Sequence, residues 1–198
     1  MPTGVALRDA RQQLFDAAER ILLRDGPNSL TSRAVTAEAD CAKGVLHRHF
    51  DDFDDFLAEL VLDRIARVDS RADVLRASAG TGTVTGNLAD VLTELFESVA
   101  VAIVALVTFR DELRARLRRA GSAGVPLLTE ATAMVASYLA AEREAGRVAA
   151  DADVRTLAPT LIGAAHLLFA DRGSAPPDPE AVRRTVAAVV AGVVREPR

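Results

Sequence analysis

The segment Thr31-Ser32-Arg33-Ala34-Val35-Thr36-Ala37-Glu38-Ala39-Asp40-Cys41-Ala42-Lys43-Gly44-Val45-Leu46-His47-Arg48-His49-Phe50 decides how the chain is read. Thr31 is a good N-cap, because its hydroxyl can accept from an amide of the first helical turn. Leu30 before it and Val35 after it are spaced for a hydrophobic staple. A short helix is therefore expected from Thr31 to about Ala39, a tight turn at Asp40-Cys41-Ala42, and a further helix over residues 43–49. Two short helices joined in this way have the geometry of a helix-turn-helix, whose second helix fits a major groove. The inward positions are Ala34, Val35, Ala39, Cys41, Leu46 and Phe50, small or aliphatic where the helices cross, with one aromatic plug. The outward positions of the second helix are Lys43, Gly44, His47 and Arg48. Three of these can hydrogen-bond a base edge or a phosphate, and Gly44 permits close backbone approach.

Working outward, apolar residues at Leu7, Leu14, Ala18, Ile21 and Leu22 predict a helix over residues 8–25, stopped by Gly26-Pro27. Asp51 or Asp52 should cap a longer helix carrying Phe53, Phe56, Leu57, Leu60, Val61, Ile65 and Val68. Residues 77–86 read as a loop by composition. Further helices are expected over residues 87–108, 110–120, 126–145, 151–170 and 179–195. Pro159 should kink the helix that contains it, and Asp178-Pro179 should start the last one. No alternating strand pattern stands out. The expectation is an all-α protein of about nine helices.

Composition agrees and narrows the function classes. Hydrophobic residues make up 49% of 198, so a packed core is expected, but aromatics are only 4%. Ala, Val and Leu must fill that core, and Ala and Leu favour helix. The single cysteine, Cys41, allows no intrachain disulfide and suits a reducing compartment. It reads as a small core residue. The longest uninterrupted apolar run, Val99 to Val107, has nine residues. A span needs about 20, so the run reads as buried helix, and no membrane association is expected. No basic-then-apolar leader opens the sequence, and a cytoplasmic location is expected. Net charge is −4, but residues 1–50 hold seven basic against six acidic residues, +1, which leaves −5 for the remainder. That polarity has the sign required of an N-terminal DNA reader. There is no nucleophile elbow, phosphate loop or zinc-ligand spacing, so neither an enzyme nor a metal or cofactor site is expected. His47 and His49 are two apart and point to different faces of a helix.

The stretch Asp16-Ala17-Ala18-Glu19-Arg20-Ile21-Leu22-Leu23-Arg24-Asp25-Gly26, then Thr31 to Val35, then Lys43 to Phe50, resembles the DNA-binding domain of the TetR/AcrR-like family of helix-turn-helix regulators. The later Glu144-Ala145-Gly146-Arg147-Val148, followed by Asp151 and Asp153, is similar to a segment of that family's ligand domain. The resemblance implies a three-helix helix-turn-helix domain at residues 1–52 and a helical ligand-binding and dimerisation domain at residues 53–198. It implies that Arg33, Lys43 and His47 approach bases, that Thr31, Ser32, Arg48 and His49 hold phosphates, and that Gly44 lets the recognition helix sit close. It implies a homodimer through the last two helices, matching a palindromic DNA operator. A small apolar or amphipathic effector would release a repressor, with Phe96, Phe109, Tyr138, His166 and Phe169 as candidate contacts among the aliphatic middle helices.

Four positions depart from the family pattern. Asp40 stands where a turn glycine is usual, Ala42 where a serine caps the recognition helix, and His47 where tyrosine is usual. Phe53 stands where a lysine starts the next helix, flanked by Asp51, Asp52, Asp54 and Asp55. Acids there suit a helix N-terminus but repel DNA phosphate. Weaker and more pH-sensitive DNA binding is expected. The alternative reading is a degenerate member that binds a ligand or protein partner without reading DNA. The stripe Arg110, Arg114 and Arg118 reads as solvated.

Overall fold

The computed structural model describes residues 4–170 and 176–195, and side chains from residue 10 onward. Among the described residues there are ten α-helices and no strand: α1 (Gly4–Asp25), α2 (Ser32–Glu38), α3 (Gly44–His49), α4 (Phe53–Ala77), α5 (Val84–Glu97), α6 (Ala100–Thr108), α7 (Asp111–Arg119), α8 (Leu128–Glu144), α9 (Val154–Phe169) and α10 (Pro179–Val189). The all-α reading holds. No single described helix is long and apolar enough to cross a membrane.

The chain divides into two compact units. The first comprises residues up to Arg64 together with Ala102–Pro126; the second comprises Ile65–Val101 and residues from Leu127 onward. In the first unit, Leu14, Ala17, Ala18, Ile21 and Leu22 form the buried stripe of α1, and Val35, Leu46 and Phe50 meet the same core. In the second unit, α5 buries Leu88, Leu92, Leu95 and Phe96. It packs with α9 and α10, and α8 packs with α9. The stripe of α10 is Val182 and Val186, continued by Val190. Each such aliphatic side chain contributes about 1.5–3 kcal/mol when buried.

Side-chain caps set several of the helix starts. Thr31 accepts from the Ala34 amide at 3.1 Å, Asp153 from the Arg155 amide at 3.1 Å, and Asp178 from the Glu180 amide at 3.1 Å. Thr83 accepts from the Gly86 amide at 3.0 Å. That cap starts α5 at Val84, three residues earlier than composition suggests.

Two expected helices are corrected. The span 87–108 is two helices, because Ser98 is extended (φ −74°, ψ −173°). Its hydroxyl donates to the Leu95 carbonyl, and its oxygen accepts from the Ala100 amide at 3.4 Å. A serine that bonds the local backbone in this way replaces the helical ladder. The last helix ends at Val189 and not near 195. Gly192 takes φ +80°, and the chain then extends so that Val194 bridges Val148. Helix α9 runs through Pro159, whose missing N–H leaves the Arg155 carbonyl on an exposed side of the helix. The loop expected at residues 173–177 lies mostly outside the described residues.

Glu142, fully buried in α8, ties the second unit together. Its carboxylate accepts from Arg147 Nε at 2.9 Å and from the Gly80 amide at 3.2 Å. Arg147 also donates to the carbonyls of Thr81 at 3.2 Å and Gly82 at 3.1 Å. The loop after α4 is thereby fastened to the end of α8. Removing one partner of a buried pair leaves the other charge unsatisfied, so Arg147→Ala should lower unfolding stability by about 3 kcal/mol. Urea denaturation checks this; a loss under ~1 kcal/mol, the range of an exposed pair, would contradict it.

Candidate nucleic-acid interface

Local chemistry fixes the angle between α2 and α3. Leu30 and Val35, the expected staple pair, are both fully buried. The chain leaves α2 through Asp40 at φ +50°, while the Cys41 amide donates to the Thr36 carbonyl at 3.0 Å. Aspartate tolerates this left-handed geometry better than most residues, which is how the turn survives without glycine. Thr36 is buried as well, and its hydroxyl donates to the Ser32 and Arg33 carbonyls at 3.1 and 3.2 Å. At α3 the backbone is already helical at Lys43, and no side chain caps the start. Ala42 precedes it and has no oxygen to offer.

Phe50 ends α3 and anchors it. Its ring lies 5.1 Å from that of Phe56 and 5.9 Å from that of Phe15. The Arg11 guanidinium stands 4.6 Å over the Phe50 ring and donates to the His49 carbonyl at 3.2 Å. Phe53 extends the cluster, stacked on Phe56 at 5.6 Å.

With α3 held from beneath, its outer face is free. Thr31, Arg33, Lys43, Gly44, His47 and Arg48 are exposed, while Ser32 and His49 are half-buried. Lys43 with His47, and Gly44 with Arg48, are each four apart and line one face of α3. The cations of the first unit fall into two groups. Arg20 and Arg24 pair with Glu38 at 2.8 and 3.1 Å, and Arg11 pairs with Glu59. Those hydrogen bonds hold the Glu38 carboxyl below the usual carboxylate range. Among the described residues Arg33, Lys43 and Arg48 have no acidic partner. Uncommitted cations on an exposed short helix can meet phosphate without breaking an existing pair.

The acidic start of α4 is partly compensated from an unexpected quarter. Asp52 caps the helix, accepting from the Asp55 amide at 2.8 Å, and Asp55 accepts from the Asp51 amide at 3.1 Å. Asp52 also pairs with Arg116 at 2.6 Å, and Asp54 with Arg110 at 3.3 Å. The Asp55 amide first, then Arg116, keep the Asp52 carboxyl below its ordinary range. Arg110 lies 5.8 Å over the Phe53 ring. Arg114 donates to the Val107 carbonyl at 3.2 Å and pairs with Asp111. The expected solvated stripe thus has partners at Arg110 and Arg114. Cys41 is half-buried, and burial followed by the charge of Asp40 pushes its thiol up, so it is a protonated thiol at neutral pH. Among the described residues no group of three or more His, Cys, Asp or Glu could hold a metal.

Of the candidate effector contacts, three come together in the second unit. The Phe96 ring lies 5.8 Å from His166 and 5.9 Å from Phe169. Burial pushes the His166 imidazole down, which favours its neutral form. Tyr138 is fully buried and accepts from Asn87 Nδ2 at 2.9 Å. Burial first, then its bond to Glu142, pushes its hydroxyl well up. Phe109 does not join them: it is 86% exposed and belongs to the first unit. A groove of about 420 Å³ in the second unit is floored by Val74, Leu75 and Val91 and edged by Arg71, Asp90 and Glu94. The sequence reading missed this groove and the Asn87–Glu142–Arg147 network, because neither has a local motif.

Residues 14–60 match the family described as bacterial regulatory proteins, tetR family. No curated protein matches the chain. Three solved structures share the fold. NemR of E. coli in its reduced form is 16% identical, with 96% of this chain and 99% of that one aligned at a TM-score of 0.74. A Saccharomonospora viridis protein in complex with choline is 16% identical over 96% and 100%, at 0.69. FadR of Bacillus subtilis in complex with stearoyl-CoA is 17% identical over 92% and 98%, at 0.66.

The left-handed Asp40 gives a direct test of the turn. Asp40→Gly should raise unfolding stability by about 0.5–1 kcal/mol, since glycine takes this conformation without a Cβ penalty. Thermal unfolding checks it. A lowered melting temperature would show that the aspartate side chain stabilises the turn in a way the geometry does not account for.

Proposed function

We propose, from the premise that residues 14–60 belong to the tetR family of bacterial regulatory proteins, that the chain is a ligand-responsive DNA-binding transcriptional regulator and not an enzyme. The finer reading is a cytoplasmic homodimeric repressor that a small molecule releases from a palindromic operator. The observation that carries it is the sorting of cations in the first unit: among the described residues Arg11, Arg20 and Arg24 of α1 are committed to acids, and Arg33, Lys43 and Arg48 are not. Arg33, Lys43 and His47 approach base edges, and Thr31, Ser32, Arg48 and His49 hold phosphates on either side. Gly44 lets α3 settle into the groove.

Residues 1–52 serve as the reading domain, and residues 53–198 bind the effector and the second copy. The outer faces of α9 and α10 support dimerisation. Gly163, Ala187 and Ala188 are exposed there, and Leu167 is 76% exposed. Small residues let two helices approach closely, and an exposed leucine has apolar area to bury. A two-fold dimer places its recognition helices about 34–36 Å apart, one turn of DNA, or a multiple of it. For the effector, the solved relatives with choline and with stearoyl-CoA give precedent for a ligand in this fold. The Phe96–His166–Phe169 cluster favours an apolar or amphipathic one. Such a ligand acts by binding one of two conformations more tightly, the one whose α3 helices no longer match the half-site spacing.

The degenerate alternative draws on Phe53, which is committed to the ring cluster and offers no charge to DNA. Selection of duplexes from a random pool, followed by fluorescence anisotropy, decides between the two. The repressor reading expects a palindrome bound in a salt-dependent way, and Lys43→Ala weakening it by about tenfold, the loss of one good base contact. Failure to enrich any sequence over random DNA would overturn it in favour of the degenerate member.

A further inference from the structure

We infer that Arg110 and Arg116 are positioning residues for DNA reading, although they lie more than 50 residues from the recognition helix, because they cancel the charge of Asp54 and Asp52 beside it. The inference rests on the reading above that α3 meets DNA.

The chain leaves α3 at Phe50 and enters five residues that carry four carboxylates, Asp51, Asp52, Asp54 and Asp55. Asp52 is four residues from Arg48, so their Cα atoms are at most ~14 Å apart. Any phosphate held by Arg48 is therefore within reach of these acids at low ionic strength, where screening extends to about 30 Å. Left bare, the acidic start of α4 would oppose the cations of α3. Two of the four are not bare, since Arg116 meets Asp52 at 2.6 Å and Arg110 meets Asp54 at 3.3 Å.

Their exposure indicates what these pairs do. Asp52 is 51% and Arg116 24% exposed, while Asp54 and Arg110 are each about one-third exposed. Pairs this wet contribute little to folding. Their field on a nearby polyanion is another matter, because a duplex presents a charge every ~1.7 Å and responds to every added negative group. The arrangement is also built. Arg110 is steadied by the Phe53 ring, and Asp52 is fixed as the cap of α4. Phe53, which replaces a cation at this position, thus holds one in place through Arg110.

The test uses the full chain and fluorescence anisotropy on a short random-sequence duplex and on a selected one, at low and at high salt. Arg110→Ala/Arg116→Ala should bind both duplexes about tenfold more weakly at low salt, and the deficit should shrink as salt rises. Adding Asp52→Asn/Asp54→Asn should restore binding to within about twofold of wild type, since asparagine still caps α4. A merely structural role would not be rescued, because the fourfold variant lacks the same two ion pairs. Asp52→Asn/Asp54→Asn alone, which frees Arg110 and leaves Arg116 only its pair with Glu112 at 3.5 Å, should bind at least as tightly as wild type. Unchanged binding in the double arginine variant, failure of the rescue, or weaker binding by the double asparagine variant would overturn the inference. Absence of any duplex binding by the wild type would instead overturn the DNA reading on which it rests.

Discussion

Everything that makes α3 a usable surface depends on the seat of Phe50. That ring ends the helix, packs against Phe15 from α1 and Phe56 from α4, and is covered by the Arg11 guanidinium. Three helices are joined at one side chain, so the six-residue α3 needs little helical stability of its own. Isolated helices of that length do not persist in water. The missing cap at Ala42 is tolerable for the same reason. A rigid seat under a short helix leaves all of its outer face available, and that face carries the uncommitted cations.

Charge in the first unit is arranged by commitment and not by total. Arginines of α1 are spent on Glu38 and Glu59, where they lock α1 to α2 and α4. Arg116 of α7 and Arg110 just before it offset two of the acids that follow α3. Among the described residues Arg33, Lys43 and Arg48 have no acidic partner, nor does Arg118 of α7; the first three lie on α2 and at the start and end of α3. An acidic chain with net charge −4 can therefore still present a local positive face.

The short-range features were legible in the sequence because their physics is short-range. The caps at Thr31 and Asp178, the staple of Leu30 and Val35, and the αL-tolerant Asp40 each involve residues a few positions apart. The break at Ser98 was not legible, since a serine inside an apolar run reads equally as helix interior; only its bonds to Leu95 and Ala100 separate the cases. The pairing of Arg110 with Asp54 spans 56 residues and that of Arg116 with Asp52 spans 64, and no periodicity encodes such partners. Likewise Tyr138 reads as a polar tip for a ligand, whereas its oxygen already accepts from Asn87. Phe109 reads as a candidate effector contact by its type alone, and is exposed.

The central claim is that the face built from Thr31 to Arg33 and from Lys43 to His49 is the one that meets DNA. Amide chemical shifts of the isotope-labelled full chain, followed as a duplex is added at low salt, test it without any mutation. The account predicts that the amides of those two segments move first and furthest, with Arg33, Lys43 and Arg48 among them. Saturation with duplex that leaves them unmoved, or that shifts only α9 and α10, would contradict it.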